Sequence, residues 1–192
     1  MQWSRTLDRV FPFAAAPVGR RQVPLIAALG GFVLYGARHA TLDWLIVHAV
    51  PALNVFRRGY PWTTPLDCLE RMGPESWGAK LEQYLRMRGM NFLPKYQQHD
   101  ALHVLLNYDT TPVDEVRLQA FMVGNGTASL AGRALLRIGM ILLPECRAQI
   151  RIDRERGASS TAIDWLRIEA EMPNDIAEVR RRWNIDPVDE DG

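Results

Sequence analysis

No stretch of this 192-residue chain alternates apolar with polar residues in the manner of a strand; apolar side chains recur at helical intervals instead. A strand buries every second side chain and a helix buries one stripe, so the pattern predicts an all-α, single-domain helical bundle. The punctuation agrees. Thr64-Pro65 and Thr111-Pro112 each read as an N-cap followed by proline in the first turn, with Asp67 and Asp114 favourably placed near a helix start. Gly89 closes a helix begun near Glu75, and Gly124-Asn125-Gly126 closes the one begun at Pro112. Further helices are expected over 24–50, interrupted at Gly30-Gly31 with Pro51 near the end, then over 94–108, from Thr127 to just before Pro144, over 160–171 and over 174–184. Arg57 to Pro61 reads as a loop. The domain proper is expected over 23–185, after an N-terminal extension (1–22) and before an acidic tail (186–192).

The contents fit a globular protein, 47% apolar and 23% charged, so a core can form without disulfides. A formal charge of +1 gives no electrostatic footing for nucleic acid, and the arginine clusters at 20–21, 57–58 and 180–182 lack interleaved aromatics. Cys68 and Cys146 have no partner spacing, which points to a reducing compartment. Val23 to Ala37 is nearly all apolar but too short to span a bilayer, and Arg38, His39 and Asp43 interrupt the apolar pattern beyond it. A helix buried in the core or resting on a membrane surface fits it better. Arg20-Arg21 beside it, and Arg57-Arg58 beside Tyr60 and Trp62, are the groups expected at such a surface.

His99-Asp100-x-x-His103, followed by Glu115, carries the chemistry. Histidines at i and i+4 lie about 40° apart on one helix face, and Asp100 falls about 100° from His99 with His103 between them. Asn107-Tyr108-Asp109-Thr110 reads as a turn, so an antiparallel hairpin would bring His103 and Glu115 level. Two imidazoles and two carboxylates are the makings of a metal site. A helix cap, a surface ion pair or a hydrogen-bonded core histidine explains the bare motif as well. Adjacent His-Asp also occurs in all-α metal-dependent phosphohydrolases, which would require His39 or His48 upstream and Asp164 downstream.

The whole pattern resembles the signature of the coenzyme Q biosynthesis protein 4 family: His99-Asp100-x-x-His103, eleven residues and Glu115, with His103-Val104-Leu105, Thr110-Thr111 and Glu115-Val116-Arg117-Leu118-Gln119-Ala120-Phe121 around it. The likeness runs from about Pro65 to Pro144. It departs at Asn107 and Asp114, where the family has glycine; Asn tolerates unusual backbone angles, whereas Asp114 adds a carboxylate beside Glu115. The resemblance implies that His99, Asp100, His103 and Glu115 form the catalytic metal site, or that Asp100 instead orients a histidine from behind the ligands. Zinc is the metal it implies, with iron or manganese open because zinc has no redox chemistry. It further implies oxidative decarboxylation of polyprenylated benzoquinone precursors, with hydroxyl replacing the C1 carboxylate. A prenyl-lipid-binding scaffold with a structural metal is the non-enzymatic alternative. In either case the apolar helices at 116–123 and 130–143 could house a prenyl tail or simply pack the core. Implied partners are a prenylated quinone precursor or other prenyl lipid, other quinone-biosynthesis enzymes and a membrane surface, with a homo-oligomer open. The implied location is the cytoplasmic face of the cell membrane, or the matrix side of the mitochondrial inner membrane in a eukaryote.

Overall fold

The structure is a computed structural model that describes residues 25–49, 62–92 and 96–188. The expected extension over 1–22, Pro51, the loop at 57–61 and the arginine pairs 20–21 and 57–58 lie outside the described residues. Residues 1–37 and 38–192 form two units. The described part of the first is helical and belongs to α1 (Leu25–Trp44), which runs unbroken through Gly30-Gly31, contrary to the expected interruption. An isolated glycine lowers helix propensity without forcing a break. Val33 and Leu34 are exposed rather than placed in a core. No helix among the described residues is long and apolar enough to cross a membrane.

The second unit is all-α, as the periodicity predicts. Its π-helical turn (Leu45–Ala49) precedes α2 (Leu66–Glu70), α3 (Trp77–Met87), α4 (Gln97–Leu106), α5 (Pro112–Gly124) and α6 (Leu130–Leu142). A 3₁₀ turn (Pro144–Cys146) leads to α7 (Arg147–Ser159), α8 (Ile168–Glu171) and α9 (Ile176–Arg182). Local chemistry sets most boundaries. Ser76 caps α3 by accepting from the Ala79 N–H at 3.1 Å, and Thr111 caps α5 by accepting from the Asp114 N–H at 3.1 Å, with Pro112 opening the helix. Asn107 ends α4 in the left-handed region at φ 59°.

Two expectations need correcting. Thr64 does not cap α2: its hydroxyl donates to Glu169 at 2.6 Å, and Pro65 holds the cap position without a side-chain bond. The second correction is larger. Of the helix expected over 160–171 only Ile168–Glu171 forms, as α8, and α7 stands where none was expected. Asn125 ties down the irregular segment, donating to the Gly157 and Thr161 carbonyls and accepting from the Ile163 N–H. The face that α7 buries is Ile150, Asp153 and Gly157, which offers one apolar side chain where a sequence reading looks for a stripe. Asp153, 1% exposed, is neutralised by Arg117 at 2.8 Å and Arg156 at 2.6 Å.

At the centre stands α5, buried on opposite faces. Leu118, Phe121 and Met122 join a core with Trp77, Leu81 and Leu85 of α3 and Leu102 and Leu105 of α4. Val116 and Ala120 join a second core with Leu42, Leu135, Leu136 and Ile150. Glycine lets the neighbours in. A Cβ on Gly157 would overlap the Phe121 carbonyl, one on Gly124 the Arg154 carbonyl, and one on Gly139 the Val116 side chain. The chain end packs back on α4: the Val188 N–H donates to the Leu106 carbonyl at 3.0 Å, and Asn107 Nδ2 to the Val188 carbonyl at 2.7 Å. The acidic residues after Val188 lie outside the described residues.

Candidate metal centre

Two helices supply the donors. On α4, His99 and His103 stand one turn apart, and α5 brings Glu115 opposite them from its first turn. The end of α4 is fixed from outside: Arg180 on α9 donates to the Val104 carbonyl at 2.9 Å and the Leu105 carbonyl at 2.8 Å, which the helix itself leaves without partners. The start of α5 is fixed by the Thr111 cap. His103 is 2% exposed, Glu115 14% and His99 23%, so the donors sit at the inner end of an accessible recess.

The donor atoms form a near-equilateral triangle. His99 Nε2 lies 3.2 Å from His103 Nε2, His103 Nε2 lies 3.1 Å from Glu115 Oε1, and His99 Nε2 lies 3.4 Å from the same oxygen. Ligands bound about 2.0–2.1 Å from a tetrahedral zinc stand about 3.3 Å from one another, so the triangle has the edge length that such an ion requires. Among the described residues this is the group of His, Cys, Asp or Glu side chains that could hold a metal ion. Charge agrees with geometry. Burial pushes the Glu115 carboxyl up, but His99 and His103 outweigh it and hold the group well below the usual carboxylate range. Glu115 is therefore an anion, the form that a ligand must take.

Asp100 lies outside the triangle. Burial pushes its carboxyl up to about 6, against the downward pull of His99 and His103. His39 pairs with Glu145, His48 Nδ1 meets the Trp44 carbonyl, and Asp164 accepts from the Leu166 N–H, so the phosphohydrolase constellation is not assembled. Trp62, expected at a membrane surface, is half-buried and packs edge-on against Phe92. Behind His103, the Tyr84 ring lies nearly parallel to the imidazole at 6.2 Å, under the guanidinium of Arg88.

His99 and Glu115 open into a cavity of about 200 Å³. Its walls come from α4 (Leu102), α5 (Leu118, Gln119, Met122), α6 (Gly132, Leu135), the π-helical turn (Ile46) and the segment before α8 (Trp165). The sequence points to α5 and α6 as walls. It gives no hint of Ile46 or Trp165, which reach the cavity only through the tertiary fold.

Compared with known proteins, the chain matches no protein-family model and no curated protein. A solved structure from Nostoc punctiforme, described as a candidate ubiquinone biosynthesis protein, resembles it with a TM-score of 0.54 and 20% sequence identity. The match covers 78% of this chain and 80% of that one. The likeness is one of fold. It extends over most of the described bundle, and the metal-site reading rests on the donor geometry itself.

Proposed function

We propose that the chain is a metal-dependent enzyme of ubiquinone biosynthesis that replaces the C1 carboxylate of a polyprenylated hydroxybenzoate with hydroxyl. The observation that carries this reading is the triangle of His99, His103 and Glu115 opening into a largely apolar cavity. The distant likeness in fold to the Nostoc protein, and the motif resemblance, supply the substrate class. Three protein ligands are the complement of a catalytic zinc, and two histidines with one carboxylate equally suit iron. When bound, a divalent metal supplies Lewis acidity, and iron or manganese would add redox capacity.

The chain's own residues have separable tasks. His99, His103 and Glu115 hold the metal and mark where the ring carboxylate enters. Asp100, whose charge both histidines feel, supports them from beside the triangle. Leu118, Met122 and Leu135 exclude water from the ring and begin the path for the prenyl tail. The overall change balances as ring carboxylic acid, dioxygen and water giving phenol, carbon dioxide and hydrogen peroxide, with dioxygen as the two-electron oxidant. A membrane surface as the source of so apolar a substrate belongs to the same proposal.

The test is turnover of 3-geranyl-4-hydroxybenzoate in air by metal-loaded protein, read by mass spectrometry. The expected result is loss of carbon dioxide with gain of hydroxyl, abolished by Glu115→Ala. Unchanged turnover in that variant contradicts the site. A wild-type protein that retains a prenyl lipid without turning it over would favour the scaffold instead.

A further inference from the structure

On α5, Glu115, Leu118, Gln119 and Met122 form an i, i+3, i+4, i+7 stripe, and all four line the cavity. Gln119 is the one neutral polar member. Its amide makes no hydrogen bond to any described residue, although two other polar side chains in the same wall are engaged. Ser129 Oγ accepts from the Gly132 N–H at 3.0 Å, and Thr127 Oγ1 donates to Asn125 Oδ1 at 3.1 Å. The amide also has a made place. A Cβ on Gly132 of α6 would overlap Gln119 Oε1, so a larger residue there would push the amide out of the position that it holds. An amide that lines the cavity without a protein partner is available to bond a group that enters it.

We propose that Gln119 is the second anchoring point of the substrate ring, recognising the ring oxygen para to the carboxylate received at His99, His103 and Glu115. One helical turn, about 6 Å, separates Glu115 from Gln119 along α5. Gln119 therefore lines the same wall one turn beyond the donor triangle. An amide both donates and accepts, so it holds a phenol or a quinone carbonyl equally well. With both ends fixed, the substituent next to the ring oxygen points toward Met122 and Leu135, the apolar part of the wall. This inference rests on the hydroxybenzoate reading above, and Gln119 is a specificity-determining residue rather than a metal ligand.

The experiment compares two probes, 3-geranyl-4-hydroxybenzoate and 3-geranylbenzoate, which lacks only the para hydroxyl. Binding to the zinc-loaded full chain in detergent micelles is read by calorimetry. The wild type should prefer the hydroxylated probe about ten-fold, the effect of one hydrogen bond of about 1.4 kcal/mol. Gln119→Met should abolish the preference while leaving zinc content and affinity for 3-geranylbenzoate unchanged. Gly132→Ala should lose the same preference by displacing the amide, which keeps the test open if one variant folds poorly. A preference retained in both variants overturns the role of Gln119 and leaves the hydroxybenzoate reading standing. A wild type that binds neither probe overturns both.

Discussion

His103 Nε2 and Glu115 Oε1 lie 3.1 Å apart across the hairpin of α4 and α5, at 2% and 14% exposure. An imidazole nitrogen and a carboxylate oxygen, both withdrawn from water, persist at that distance only if a proton or a metal ion lies between them. With His99 Nε2 a further 3.2 Å from His103 Nε2, one proton serves one edge of the triangle, and a cation serves all three. The firmest local devices of the fold converge on this arrangement: the Thr111 cap, the left-handed Asn107 and the Arg180 clasp.

The close crossing of α5 and α7 gives a prediction whose sign is diagnostic. Alanine in place of an exposed helical glycine stabilises by about 1 kcal/mol. Gly157→Ala should instead destabilise by about 1–3 kcal/mol, because its methyl meets the Phe121 backbone rather than a movable side chain. Urea unfolding of the two proteins decides it, and a variant more stable than the wild type would refute the crossing.

Glu169 gives a pH dependence. Its Oε1 accepts from the backbone N–H of Thr63 and Thr64 at 2.7 and 2.6 Å, and from both hydroxyls. Burial pushes the carboxyl up, but those four bonds outweigh it and hold the pKa below the ordinary 4.5. A lowered native pKa means that the stabilisation is present above pH 4.5 and is lost as pH falls through the native value. Glu169→Gln should therefore cost about 1 kcal/mol at pH 7. The gap between variant and wild type should close as the pH drops below 4.5. A gap that persists in acid, or one that widens, contradicts the assignment.

Arg180 is a half-buried cation that donates to carbonyls rather than to a carboxylate. Desolvation lowers its pKa, so the two carbonyl bonds offset a real cost. Arg180→Met keeps the packing of the stem and should lose about 2–3 kcal/mol. Thermal unfolding measures this, and a loss below about 0.5 kcal/mol would mean that α4 does not depend on the clasp.

What the sequence made legible was local. The four-residue histidine spacing, the Thr111-Pro112 cap and the turn before it place Glu115 opposite the imidazoles, and each works within a few residues. What stayed hidden depends on distant partners. Thr64 reads as a cap but is claimed by Glu169, 105 residues away. The α7 helix escapes the periodicity because it buries a paired aspartate and a glycine where a sequence reading looks for leucine. Propensity alone counts Gly132, Gly139 and Gly157 against a helix, whereas in three dimensions they are points of close approach to α5. Asp100 shows the limit of spacing alone. Its helical phase is about 100° from His99, and the donor triangle closes without it.

The central claim is that His99, His103 and Glu115 hold a metal ion. Elemental analysis of protein purified without added metals tests it directly, with Glu115→Ala and His99→Ala prepared in parallel. About one equivalent of zinc, iron or manganese is expected in the wild type, with a loss of at least ten-fold in affinity in either variant. Wild-type protein that neither contains nor takes up a divalent metal, or variants that bind it as tightly, would contradict the account.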